Sequence, residues 1–156
     1  MIYVFDTSSL SKLKHFYPTV FKSIWNGLER LAEQGSLIST KEVWNELQKG
    51  SPVDFVNQWL ESRKALFKTP GSEELQFVAQ ILAIEHFQTL IGETQRLKGT
   101  PVADPFVIAC AKIHQATVVT EEKEKPHAAK IPNVCSHFNI PCVNLETFMT
   151  QQGWEF

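Results

Sequence analysis

Short apolar runs alternate with longer stretches of helical periodicity along this chain, and that alternation leaves few architectures open to it. Ile2 to Phe5 is short, apolar and rich in β-branched and aromatic residues, the profile of a buried strand. Leu37-Ile38-Ser39, Ala65-Leu66-Phe67, Thr117 to Thr120 and Pro141 to Val143 are four further candidate strands. Between them the helical signals are regular. Thr7-Ser8-Ser9 offer N-cap side chains for a helix from Leu10. Val20, Ile24, Leu28 and Leu31 recur at helical spacing up to a stop at Gly35. Ser39 and Glu42 have capping-box spacing and open a helix with Val43 and Leu47 on one face. Phe55, Trp59 and Leu60 mark another helix, and Pro70-Gly71 a turn. Leu75, Val78, Leu82 and Phe87 suit one long helix over Glu73–Ile91, Pro105–His114 is apolar almost all round, and a short helix falls near Glu146–Met149. Strands alternating with helices in this way predict an α/β three-layer sandwich with a mostly parallel five-stranded sheet. At 156 residues, 43% of them hydrophobic, the expectation is a single domain over 1–156 with a sizeable core.

Acidic residues recur where these runs end. Asp6 closes the first run, Glu46 lies on the helix after the second, Asp104 opens the apolar helix, and Glu121-Glu122 follow Thr120. In an open parallel sheet the crevice at the carboxyl ends of the strands is where ligands sit, so residues distant in sequence can converge there. Several acids in one crevice repel each other unless a cation neutralises them, and hard divalent metals take oxygen ligands of this kind. A metal-dependent hydrolase is therefore the first functional hypothesis. Each acid also has a local explanation. Asp6 before Thr7-Ser8 fits an Asx turn. Asp104 before Pro105 fits an N-cap followed by proline at the first helical position. Glu42 fits the capping box, which leaves Glu46, one turn on, as the better ligand candidate, and Glu121 and Glu122 fit a charged loop running to Lys130. Independent caps and turns do not account for the joint placement.

Other classes are constrained by composition. A formal net charge of −2 argues against binding polyanions through overall charge, although a local basic stripe would be hidden in that sum. Lys41, Lys49, Arg63, Lys64 and Lys68 could line a groove rim or form a solvated helical face. Three cysteines, Cys110, Cys135 and Cys142, form no even framework and suit a reducing cytoplasm. Cys135, His137 and Cys142 match no common zinc spacing. Asp6 and Lys12 interrupt any apolar stretch a leader would need, and no apolar run approaches the ~20 residues of a membrane span, so the expectation is a soluble cytoplasmic protein with no membrane partner. Trp25, Trp44 and Trp59 sit in amphipathic patterns and read as packing residues. No Gly-rich phosphate loop is present.

The strings YVFDTSSL at 3–10, Glu46-Leu47, ADPFVIACA at 103–111 and VVTEE at 118–122, in that order and spacing, resemble the signature of the PIN domain family. Its members are small metal-dependent ribonucleases, among them the VapC toxins of bacterial toxin–antitoxin systems. The tail IPNVCSHFNIPCV at 131–143 resembles a PIN-like subgroup other than the best-known toxins. The resemblance spans nearly the whole chain and implies a parallel five-stranded sheet between helices, with the acids at one end. It implies Asp6, Glu46, Asp104 and Glu122 as metal ligands and catalytic residues, with Asp6 on the central strand. Glu122 stands where the family usually has Asp, so Glu121 is an alternative at that place, and the loop that follows lacks the family's common aromatic residue. Ser8 and Thr120 would donate hydrogen bonds nearby. The implied activity is Mg²⁺- or Mn²⁺-dependent hydrolysis of RNA phosphodiesters, with RNA as substrate, an antitoxin protein as partner and a homodimer as assembly. Two alternatives stand beside it: a PIN-like binding module without activity, and a phosphoacceptor receiver-like domain, disfavoured because Asp6 has no acidic neighbour in sequence.

Overall fold

The fold was analysed in a computed structural model that describes residues 1–50, 54–91 and 102–155. Five short strands, β1 (Tyr3–Phe5), β2 (Leu37–Thr40), β3 (Phe67–Lys68), β4 (Thr117–Val119) and β5 (Cys142–Val143), form one sheet in the order β3-β2-β1-β4-β5. Every pairing is parallel, with Val4 opposite both Ile38 and Val118. All residues of β1, β2 and β4 are buried, as expected of a parallel sheet covered by helices on both faces. β1 is central. The chain winds outward from it through β2 to β3 and then crosses back to β4, so the order of winding reverses between β1 and β4.

The described helices are α1 (Thr7–Lys12), α2 (Lys22–Glu33), α3 (Lys41–Lys49), α4 (Asp54–Ser62), α5 (Ser72–Leu82), α6 (Ala103–His114), α7 (Ile131–His137) and α8 (Leu145–Gln151). None is long and apolar enough to cross a membrane. The apolar helix α6 packs on β1, β2 and β4 and against α5. On β1, Tyr3 and Phe5 both meet Phe148 of α8 edge to face, at 4.8 and 5.0 Å between centroids; such pairs add about 0.5–1.5 kcal/mol beyond the area they bury. Trp25 packs on Phe55 and Trp59, and Trp44 on Phe67, so these tryptophans are packing residues, as their pattern implied.

Several element boundaries differ from those expected, each for a local reason. Asp6, rather than Thr7 to Ser9, is the N-cap of α1 and accepts from the Ser9 N–H. β2 extends to Thr40, because the Ser39 hydroxyl donates across the sheet to the Phe5 carbonyl at 2.6 Å; Thr40 then caps α3 through the Val43 N–H, and no Ser39–Glu42 box forms. Val20 precedes α2 and is 69% exposed. That helix stops where expected: Gly35 takes φ 73°, and the N–H groups of Gly35 and Ser36 close back on Ala32 and Leu31, a Schellman-type ending that favours glycine. The long helix over Glu73–Ile91 is broken. α5 ends at Leu82, Ile84 is extended, and a 3-10 helix follows over Glu85–Leu90. The Gln88 amide donates to the Leu82 carbonyl left open by the break. Periodicity concealed this because Phe87 and Leu90 remain buried through the turn, whereas Leu75 is 51% exposed.

Candidate acidic site at the carboxyl end of the sheet

The carboxyl ends of β1 and β4 adjoin at the reversal of winding, the place where open α/β sheets take ligands. Asp6 emerges there from β1 and Thr120 from β4. Asp6 is only 3% exposed and its carboxylate is densely held. The Ser8 hydroxyl lies 2.8 Å from each oxygen, the Ser9 N–H donates to Oδ1 at 2.8 Å, and the Thr120 hydroxyl donates to Oδ2 at 2.5 Å. Both hydroxyls also accept from the chain that follows β4: Glu121 N–H donates to Ser8 at 3.0 Å, and Glu122 N–H to Thr120 at 3.1 Å. Ser9, fully buried, donates to the carbonyls of Asp6 and Val119 and pins the two strand ends together. The local turn and the acidic site are thus the same object at Asp6.

Glu46, in the second turn of α3, accepts from the Thr7 hydroxyl at 2.5 Å and from the Ala103 N–H at 3.0 Å. It therefore ties α1 to the start of α6. Asp104 is not the cap of that helix, contrary to expectation: Val102 is the N-cap, and Asp104 lies inside the first turn. Among the described residues its carboxylate accepts no hydrogen bond. Glu122 accepts from Ile131 N–H, the first residue of α7, at 3.0 Å. Glu121 turns elsewhere, accepting from Leu145 N–H at the start of α8 and from Lys12 at 2.8 Å each. Of the two adjacent glutamates, only Glu122 joins the acidic neighbourhood electrostatically.

That neighbourhood is visible in the protonation of Asp104. Its pKa is pushed up to about 8, first by burial and then by the like charges of Glu122, Asp6 and Glu46, with Lys130 opposing. Glu122 is also raised, chiefly by burial and further by Asp6 and Glu46, against the Ile131 N–H and Lys130. Burial raises Asp6 despite the donors from Thr120, Ser9 and Ser8. Four acids from four separate segments therefore share one electrostatic environment, and all offer the oxygen donors that a hard divalent cation takes. They are not a finished coordination sphere: among the described residues no three His, Cys, Asp or Glu side chains already converge as ligands. Glu46 and Glu122 hold backbone and hydroxyl donors instead, and would have to rotate from Thr7 and Ile131 to reach a cation beside Asp104.

Sequence reasoning gave Thr7 and Ser9 only as cap and turn residues and Lys130 only as the end of a charged loop, and it did not single out Ile131; all four restrain or offset these acids. Thr7 and Ser9 differ from Ser8 by register alone, and the Ile131 N–H carries no side-chain signal. Elsewhere, His114 bonds Glu74 at 3.0 Å, Arg63 pairs with Glu29, Lys64 lies over the Trp44 ring, Cys135 and Cys142 are free thiols, and the exposed His137 meets Phe138 edge to face. The basic residues considered for a groove rim are thereby partly committed to packing.

Comparison with known proteins agrees with the fold. A chain of the VapBC2 complex from Rickettsia felis, solved bound to a DNA fragment from its promoter, superposes with a TM-score of 0.51 at 18% identity, over 92% of this chain and 98% of that one. PAE2754 from Pyrobaculum aerophilum superposes with a TM-score of 0.50 at 16% identity, over 97% and 96%. These likenesses show an α/β sandwich with a parallel five-stranded sheet, the architecture expected from the sequence. No curated protein matches in sequence. The model of one family, described as a domain of unknown function, matches residues 3–156, and the chain belongs to that family, DUF4411.

Proposed function

We propose that the protein is a metal-dependent endoribonuclease of PIN type, the toxin half of a toxin–antitoxin pair, with Asp6, Asp104, Glu46 and Glu122 holding Mg²⁺ or Mn²⁺. The observation that carries this reading is Asp104: a carboxylate with no hydrogen-bond donor among the described residues, whose charge is opposed by three other acids. Asp104 is not the N-cap of α6, so no capping bond accounts for an acid there. A bound divalent ion supplies Lewis acidity towards a water and the phosphate oxygens of RNA. The chain's own part is to hold and orient. Asp6 is fixed by Ser8, Ser9 and Thr120 and keeps its direction without reorganising. Glu46 and Glu122, on longer side chains, would turn from their protein donors to hold the ion, while Lys130 favours the charged form of Asp104 and Glu122. Ser8 and Thr120 are positioning residues for Asp6, and Glu121 anchors the segment that carries Glu122. An antitoxin protein and a second copy of the chain are the expected partners; the likeness to a VapBC2 chain supports the former.

One observation favours a second reading, a PIN-like binding module without cleavage: Asp6, Glu46 and Glu122 are already satisfied by protein donors. A receiver-like domain is not supported, since a flavodoxin-like receiver places its first strand between the second and third, whereas β1 here lies between β2 and β4. The purified protein, titrated with Mn²⁺ while melting temperature and cleavage of a mixed RNA pool are followed, separates the two. The nuclease gains stability and cleaves; the module does neither. Expression in a bacterial host, with and without the adjacent gene, tests the toxin assignment, and unimpaired growth with an active nuclease would remove the toxin role alone.

A further inference from the structure

Cys135 sits in the last turn of α7 and is fully buried, while Cys142 opens β5 and is half-buried. The chain between them folds back tightly. Asn139 takes φ 57°, its N–H bonding the Ser136 carbonyl, and the Ile140 N–H donates to the Cys135 carbonyl at 2.8 Å. β5 is then held against β4, with Cys142 opposite Val118 and the Val118 N–H bonded to Pro141 at 2.9 Å. This turn brings β5 back against α7, so Cys142 returns to the neighbourhood of Cys135. Cys142 also lines a 340 Å³ groove with Thr120, Glu122, Asn144 and Thr147. Cys142 therefore borders a groove open to solvent, and Cys135, on the helix packed against its strand, is fully buried. Cys110 is buried in α6 within the fields of Glu74 and Glu42.

We infer that Cys135 and Cys142 form an oxidation site, at which a two-electron oxidant of the peroxide class entering the groove closes an intramolecular disulfide between α7 and β5. The Cys142 sulfur attacks the peroxide O–O bond, giving a sulfenic acid and one water. The Cys135 sulfur then displaces the hydroxyl, the S–S bond forms, and the thiol proton leaves with that hydroxyl as a second water. Two thiols are oxidised and one hydrogen peroxide is reduced to two waters. Such transient, reducible links are the form in which disulfides occur under reducing conditions. The link would tie β5 to the helix whose first N–H holds Glu122, so the oxidised state bears on the groove side of the acidic site.

The test is direct and independent of any nuclease activity. The folded protein is treated with stoichiometric hydrogen peroxide, denatured, alkylated, digested and read by mass spectrometry. The expected result is a Cys135–Cys142 peptide pair lighter by two hydrogens, separated again by a reductant, with Cys110 fully alkylated. Cys110→Ser should give the same pair and Cys142→Ser none. Alkylation of both Cys135 and Cys142 after oxidation, conversion of Cys142 to a sulfinic acid while Cys135 stays alkylatable, or a link to Cys110 would each overturn the assignment.

Discussion

The acidic end of the sheet and the packing between α3 and α6 both bury carboxylates, and they do so by different means. At the sheet end, Asp104 is raised by burial and also by Glu122, Asp6 and Glu46. Between α3 and α6, Glu42 is 8% exposed with Oε1 unpaired, yet its pKa is raised by burial alone; its own N–H and Lys41 oppose the shift. Glu74, its neighbour in the field of Cys110, is satisfied by the Gly71 N–H and by His114. Both regions carry an underpaired acid, but only the first concentrates like charge. A divalent cation can relieve the first by binding, whereas the second is relieved by removing the charge from one side chain. An isolated buried acid is therefore a packing fault, and a mutually repelling group is a candidate binding site.

The largest effect should come from removing one of the repelling charges. Asp104→Asn is expected to cut Mn²⁺-dependent RNA cleavage by about 100-fold or more, the scale on which loss of a key electrostatic group acts. Because Asp104 is not a cap, the exchange forfeits no capping bond, and the metal-free variant should melt at or above the parent. The parent at Mn²⁺ about 100-fold over its Kd should gain about 2.7 kcal/mol, roughly 5–10 °C for a chain of this size, and the variant should lose most of that gain. A variant that cleaves at the parental rate with an undiminished Mn²⁺ shift would end the proposed role of Asp104.

A pH series sharpens the same contrast. The folded-state pKa of Asp104 is about 8, above the roughly 3.9 of an unfolded aspartate, so the folded state binds the extra proton between these values. The stability this contributes is fully present at low pH and is lost as pH rises towards 8. Metal-free protein should accordingly melt several degrees lower at pH 8.5 than at pH 6, and Asp104→Asn should flatten the slope. Saturating Mn²⁺ should flatten it as well, by holding the carboxylate in its charged form. A metal-free melting temperature that rises over this range would contradict the shared field of acids. Glu42 slopes in the same direction, but Mn²⁺ should leave its share unchanged. Glu42→Met, removing the unpaired acceptor, is expected to stabilise by about 1 kcal/mol at unchanged cleavage, and a loss of cleavage there would move Glu42 into the site.

Much of this contrast was legible before the structure. Alternation of strand and helix led to the parallel sheet, the apolar run ending at Asp6 led to a buried strand, and the family resemblance put that strand at the centre. One-turn spacing separated Glu46 from Glu42, and the structure then gave them different surroundings. What stayed hidden depends on contacts that leave no periodic trace. The Ser39 hydroxyl crossing to Phe5 moved a strand end and a cap by one residue. The break at Ala83-Ile84 kept the buried face intact, so no pattern betrayed it. The cap of α6 fell on Val102, whose side chain has no capping chemistry, because the Ala103 N–H is taken by Glu46 from another helix. Competition between local and long-range donors for the same carboxylate is decided only by the assembled fold.

The finest division lies between neighbours. Glu121 and Glu122 are inseparable in sequence, yet one braces the fold and the other faces Asp104. In Glu121→Gln the amide oxygen can still accept from Leu145 N–H, and the variant loses only the pairing with Lys12, whose side chain is 44% exposed. An ion pair of that exposure is worth about 0–1 kcal/mol, so the melting temperature should fall by a few degrees at most and cleavage should stay within about twofold of the parent. Glu122→Gln likewise keeps an acceptor for Ile131 N–H, so its fold should survive. It removes the like charge that most raises Asp104 after burial. That variant should shift the pH dependence of metal-free stability towards acid, weaken the Mn²⁺ response and lower cleavage, all without loss of helix α7. If instead Glu121→Gln suppresses the Mn²⁺ response and Glu122→Gln does not, the fourth acid of the site is Glu121, and the segment after β4 turns over when the cation binds.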